Sequence, residues 1–162
     1  MKTISLVYFL FSLSFLCSGY KNNGYEVRDL EGTAAQVKAD ALLWTVTGFR
    51  SGVTARTSSC LGKELMAGYN VLTGTGSAER TYENLIPHDI IYLSFQLWAF
   101  DNIEAEDKMT LSIDGVTKFV FNGIREPTTG SSTCGSASHR DVGAQPIIMK
   151  IFHSGTSVKL KF

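Results

Sequence analysis

Residues 87–122, PHDIIYLSFQLWAFDNIEAEDKMTLSIDGVTKFVFN, decide the fold. Ile91, Leu93, Phe95, Leu97 and Ala99 alternate with Tyr92, Ser94, Gln96 and Trp98. Side chains on a strand point to opposite faces with period two, so this pattern predicts a long strand with one core face. Met109, Leu111 and Ile113 repeat the alternation, and Asp114-Gly115 supplies the positive φ angles of a type I′ hairpin turn into Val116 to Phe121.

Between these strands lies an acidic connection, with Asp101, Glu104, Glu106 and Asp107 inside seven positions beside Asn102. Like charges so close repel unless water or a cation screens them. Calcium suits such a loop, because it takes six to eight oxygens from carboxylates, amides and carbonyls. The four acids are therefore the candidate metal ligands, although the spacing is not that of an EF-hand. The rival reading is a solvated turn whose charge keeps a sheet edge from pairing. A glycosidase pair needs its carboxyl groups on opposite sides of a cleft, which one contiguous loop does not provide.

Working outward, residues 123–143 form a long, small and polar connection carrying Pro127 and Cys134. Ile147, Met149 and Ile151 then alternate with Ile148, Lys150 and Phe152; His153-Ser-Gly-Thr turns the chain, and Val158, Leu160 and Phe162 alternate with Lys159 and Lys161. Upstream, Thr33 with Gln36 three residues later is a capping-box pattern, which places a short helix near residues 34–43; a strand over 41–47 competes with it. Residues 48–62 read as loop or irregular edge strand, and Gly74-Thr75-Gly76 as a tight turn between strands rather than a nucleotide fingerprint. Short strands, one capped helix and no βαβ rhythm predict a mainly β chain, an antiparallel β-sandwich of jelly-roll type.

The first residues, MKTISLVYFLFSLSFLCSG, pair Lys2 with an apolar run from Ile4 to Leu16 and small residues at Ser18 and Gly19. That is the pattern of a cleaved secretory signal over residues 1–19, which leaves residues 20–162 as a single extracellular or cell-surface domain. Cleavage takes Cys17 with it, so Cys60 and Cys134 are the expected disulfide in an oxidising compartment. Two cysteines and three scattered histidines do not build a structural zinc site. Lys plus Arg number 15 and Asp plus Glu number 15, so no basic surface invites nucleic acid, and no second long apolar stretch predicts a membrane span.

Trp98, Tyr92, Phe100 and Tyr82 are expected on the non-core face of the long strand or near its ends. Aromatics there stack on sugar rings while carboxylates and amides take the hydroxyls; the alternative is burial by a second sheet. His139-Arg140-Asp141 is the most polar cluster outside the acidic loop, and His139 and Asp141 are further candidate ligand-binding residues. His88, His139 and His153 are read as surface or turn histidines. A Ser-His-Asp hydrolase would need a nucleophile on a strained turn such as Gly-x-Ser-x-Gly, and the chain has none.

The order Cys60-Leu-Gly, Gly68-Tyr-Asn, LIPHDIIYLSFQLWAFD, an acidic run, LSIDG, Cys134-Gly and a closing IFHSGTSVKLKF resembles a module, often repeated, of secreted and surface proteins of ciliates. The resemblance covers about residues 59–162. Ile103 and Ala105 stand where that module usually has a Trp beside its acids. The resemblance implies a non-enzymatic extracellular β-sandwich with one disulfide. The expected function is accordingly a secreted, non-catalytic binding or adhesion module that recognises surface glycan or protein, with calcium as its candidate stabilising ion. The alternative is a self-associating structural subunit of an extracellular assembly, joined by strand exchange.

Overall fold

The computed structural model describes residues 13–17, 25–100, 107–123, 134–135 and 142–162. In chain order these form β1 (Leu13–Cys17), β2 (Tyr25–Asp29), α1 (Ala34–Ala41), β3 (Thr45–Phe49), β4 (Thr57–Cys60), β5 (Lys63–Met66), β6 (Leu72–Tyr82), β7 (Ile90–Ala99), β8 (Lys108–Ile113), β9 (Val116–Asn122), β10 (Val142–Phe152) and β11 (Val158–Lys161). The described residues are mainly β, with antiparallel sheets and one short helix. One sheet runs β10-β7-β1-β2, a second runs β3-β6-β11-β8-β9, and β4-β5 is a separate hairpin.

The period-two reading of β7 holds residue by residue. Ile91, Leu93, Phe95, Leu97 and Ala99 are all buried, whereas Tyr92, Ser94, Gln96 and Trp98 are half-buried. Phe95 meets Phe119 of β9 and Phe162 edge-on, with ring centroids 5.8 Å and 5.5 Å apart, so the core face of the first sheet packs on residues of the second. Edge-to-face contact suits the aromatic quadrupole and adds to the area each ring removes from water. Asp114 (φ 50°) and Gly115 (φ 79°) make the expected hairpin turn, and β8 pairs β9 through it.

Helix α1 starts as its capping box requires. Gln36 N–H donates to Thr33 Oγ1 at 3.3 Å, and Thr33 N–H donates to Gln36 Oε1 at 2.8 Å, which satisfies two of the orphan donors at the helix start. Its far end is held from a distance: Arg56 Nη1 donates to the carbonyls of Ala41, Leu42 and Trp44 at 3.1, 2.9 and 2.5 Å. A cation on the last carbonyls also suits the negative end of the helix dipole.

Two expectations, on Gly74-Gly76 and on His88, are corrected. Gly74 and Gly76 are not in a turn but lie inside the continuous eleven-residue strand β6. β3 shifts register against β6 between Thr47 and Phe49, and Gly48 (φ +73°) comes so near Gly76 that a Cβ on it would stand 2.5 Å from the Gly76 Cα. The glycines permit a bulge and a close backbone approach rather than a chain reversal. Phe100 and Tyr82 are buried in the core, as the alternative of burial by a second sheet has it, because both sheets contribute aromatics. His88 is also buried, at 6% exposed, and not a surface histidine.

Residues 13–17, within the apolar run expected to be a secretory leader, form β1, paired antiparallel to β7 on one side and β2 on the other. Cys60 and Cys134 are placed as a disulfide pair with Cα atoms 5.9 Å apart, tying residue 134 to the β4-β5 hairpin.

Candidate binding face and pocket

The outward residues of β7 line up with those of its edge neighbour β10: Gln96 opposite Pro146, Ser94 opposite Ile148, Tyr92 opposite Lys150 and Ile90 opposite Phe152. Ile148 and Phe152 are 75% and 82% exposed, and the Lys150 ammonium lies 5.7 Å from the Phe152 ring centre. Pro146 fits an edge strand, since it has no N–H to give to a ladder. This half of the face is apolar, open and crossed by one cation.

The other half is concave. A pocket of about 320 Å³ lies between the start of α1, the β4-β5 turn and β7, with Glu31, Lys63, Glu64 and Gln96 as its polar lining and Leu30 and Val37 among its apolar walls. Lys63 also reaches over the Trp98 ring, 5.8 Å from its centre, so Trp98 borders the pocket through that side chain. Trp98 in turn stacks on Phe100 at 6.0 Å and 30°, which fixes the plane of the indole. Its Nε1 is shielded from solvent and has no hydrogen-bond partner among the described residues.

Glu64 is the most constrained polar group of the pocket, with a side chain 2% exposed. The hydroxyls of Thr57 and Ser59 each donate to its carboxylate at 2.5 Å, and the Lys38 ammonium is 3.6 Å away. Burial alone would push its pKa up, but the Ser59 and Thr57 hydrogen bonds and the Lys38 charge together hold it below the usual carboxylate value. Glu64 therefore carries its charge at neutral pH while two strands of the hairpin hold it in place.

Of the residues singled out by sequence, Trp98 and Tyr92 share one face of β7 but not one site. Six residues at about 3.3 Å each put them about 20 Å apart, so Trp98 belongs with the pocket and Tyr92 with the open patch around Lys150 and Phe152. Asp101, Glu104, Glu106, His139 and Asp141 lie outside the described residues. Asp107 is half-buried at the start of β8, where its carbonyl accepts from Gly123 N–H at 2.6 Å. Among the described residues no group of three His, Cys, Asp or Glu side chains is arranged to hold a metal. Sequence reasoning missed Glu64, Lys63 and Gln96; the alternating Thr57, Ser59, Glu64 pattern is legible only once β4 and β5 are known to pair.

No known protein family matches this chain, and neither a curated protein nor a solved structure shows a significant match to it.

Proposed function

We propose that this protein is a secreted, non-catalytic binding or adhesion module, a β-sandwich of jelly-roll type, whose pocket beside Trp98 takes a sugar residue of a surface glycan. The pocket carries the reading: its lining sets an amide, Gln96, two carboxylates, Glu31 and Glu64, and an ammonium, Lys63, together, and the Trp98 indole, two residues along the same face of β7 from Gln96, lies next to it under Lys63. A sugar ring presents an apolar face and an edge of hydroxyls, which suit a polar pocket with an aromatic ring at its border. The volume falls at the small end of ligand pockets, which suits one or two sugar units rather than a long chain. The test is a glycan array followed by titration of the best ligand into wild type, Trp98→Ala and Gln96→Ala. Each variant should lose about tenfold in affinity. An array without hits, or full affinity in both variants, overturns the reading. Calcium at Asp101, Glu104, Glu106 and Asp107 belongs to the same proposal, and calorimetric titration of the metal-free protein checks it.

A second reading, a subunit of an extracellular assembly joined by strand exchange, rests on one observation. β1 lies within the expected leader, yet it pairs with β7 from Ile91 to Ser94 and with all of β2. Removal of the leader would leave both strands with unpaired backbone groups facing one another, and a neighbour's strand would fill that gap by β-augmentation. Size-exclusion chromatography of a chain beginning at Tyr20 decides it: multimers support exchange, and a monomer at all concentrations rejects it.

A further inference from the structure

His88 lies just before β7 and His153 just after β10, and the pairing of Ile90 with Phe152 brings the two histidines side by side. His88 Nε2 is 2.7 Å from His153 Nδ1, with ring centroids 5.0 Å apart and planes inclined by 12°. Their other nitrogens face oxygens. His88 Nδ1 is 2.6 Å from the Ile86 carbonyl, and His153 Nε2 is 3.3 Å from Asp114 Oδ2.

Counting protons fixes the charge this arrangement needs. A carbonyl and an ionised carboxylate only accept hydrogen bonds, so each outer nitrogen must carry a hydrogen. The contact between the rings needs one more. Three hydrogens on four ring nitrogens is one proton more than two neutral imidazoles hold. With both rings neutral, either one bare nitrogen is left facing an oxygen or two bare nitrogens face each other across the inner contact. With both rings protonated, two N–H groups meet across the inner contact. Only the singly charged pair completes the chain.

The anion at its end is fixed rather than free to follow. Asp114 sits in the β8-β9 turn, its N–H donates to the Lys159 carbonyl at 2.9 Å, and its Oδ1 accepts from Lys159 N–H at 2.8 Å. The Lys159 ammonium is engaged elsewhere, 2.9 Å from Glu79. From the segment before β7, Asp89 holds His153 by its carbonyl, which accepts the His153 N–H at 3.1 Å. Gly155 lies against the ring, since a Cβ there would stand 3.2 Å from His153 Cε1 and Nε2.

We propose that His88, His153 and Asp114 form a proton-operated clasp between the two sheets, complete only when the histidine pair carries a single positive charge. It joins the ends of β7 and β10, which bear the outward face with Tyr92, Lys150 and Phe152, to the β8-β9 turn of the other sheet. Imidazole changes charge between about pH 5 and 8, so the clasp responds to the pH of the medium around the protein.

The test follows thermal unfolding from pH 4 to 9 in wild type, Asp114→Asn and His153→Gln. Wild type should gain about 2–4 °C over His153→Gln within the imidazole range, with the gain shrinking on either side. In Asp114→Asn the amide oxygen still accepts from Lys159 N–H, while the amide N–H₂ offers a donor to a bare His153 Nε2. The neutral pair is then the complete one, and the pH of greatest gain should move upward. Superimposable profiles for wild type and Asp114→Asn overturn the proposal. If either variant fails to fold, nitrogen-15 spectra of the wild-type rings decide it: three protonated ring nitrogens near the stability maximum support the clasp, and two at every pH above 5 reject it.

Discussion

The indole N–H of Trp44 donates to Asp29 Oδ2 at 3.1 Å, deep inside the protein, where Trp44 is 1% and Asp29 2% exposed. The same oxygen accepts from Arg80 at 2.6 Å and from the Tyr82 hydroxyl at 2.5 Å. One carboxylate at the end of β2 thus ties the first sheet to β6 of the second and to Trp44, immediately before β3. Burial and the neighbouring Asp29 charge push the Tyr82 phenol well above its ordinary range, so it remains a donor at any working pH.

Asp29→Ala removes the acceptor that a guanidinium, a hydroxyl and an indole N–H share, two of them in the core. Removing one partner of a buried charged cluster costs about 3–5 kcal/mol, and Asp29→Asn, which keeps an acceptor oxygen, should cost less. Urea unfolding of both variants measures it; a loss below about 1 kcal/mol for the alanine variant would count against the cluster as an anchor.

Acid should weaken the β4-β5 hairpin. The folded-state pKa of Glu64 is held low, so the unfolded chain takes up the proton first as pH falls. The contribution of Glu64 is therefore present above the ordinary carboxylate pKa and disappears as pH drops through the folded value. Wild type and Glu64→Gln should differ in melting temperature at pH 6 and converge toward pH 3. An unchanged gap at both values contradicts this.

Reducing the Cys60 and Cys134 pair, 74 positions apart, releases a long loop. In the chain-entropy picture that constraint contributes roughly 4 kcal/mol, so Cys60→Ser with Cys134→Ser should lower the guanidinium midpoint substantially. Mass measurement after alkylation, with and without reductant, reports whether the pair is bridged.

Gly48→Ala should destabilise by about 2 kcal/mol or more, because the new methyl meets Gly76 backbone and φ is positive. Gly52→Ala is the control: its φ is also positive, at +77°, but a Cβ there meets nothing within 4 Å. A loss at Gly48 no larger than at Gly52 would show that the close approach carries no cost of its own.

Periodic patterns survived the passage from sequence to structure because they report a local fact, which side of a strand or helix turns inward. The alternation of β7, the Asp114-Gly115 turn and the Thr33 capping box are each contained within a few residues. Gly74 and Gly76 misled because a glycine reads the same whether it frees the chain to turn or leaves room for another backbone.

What the sequence alone determined was the kind of element at each clear stretch and the inward face of β7; it made Cys134 the expected partner of Cys60. The tertiary structure decided which polar residues matter. Asp29 meets Arg80 and Tyr82 across 51 and 53 positions, and His88 meets His153 across 65. A charged or aromatic side chain carries no local mark of a partner so distant; its burial, its proton and its role exist only after strands far apart in the chain have been laid side by side.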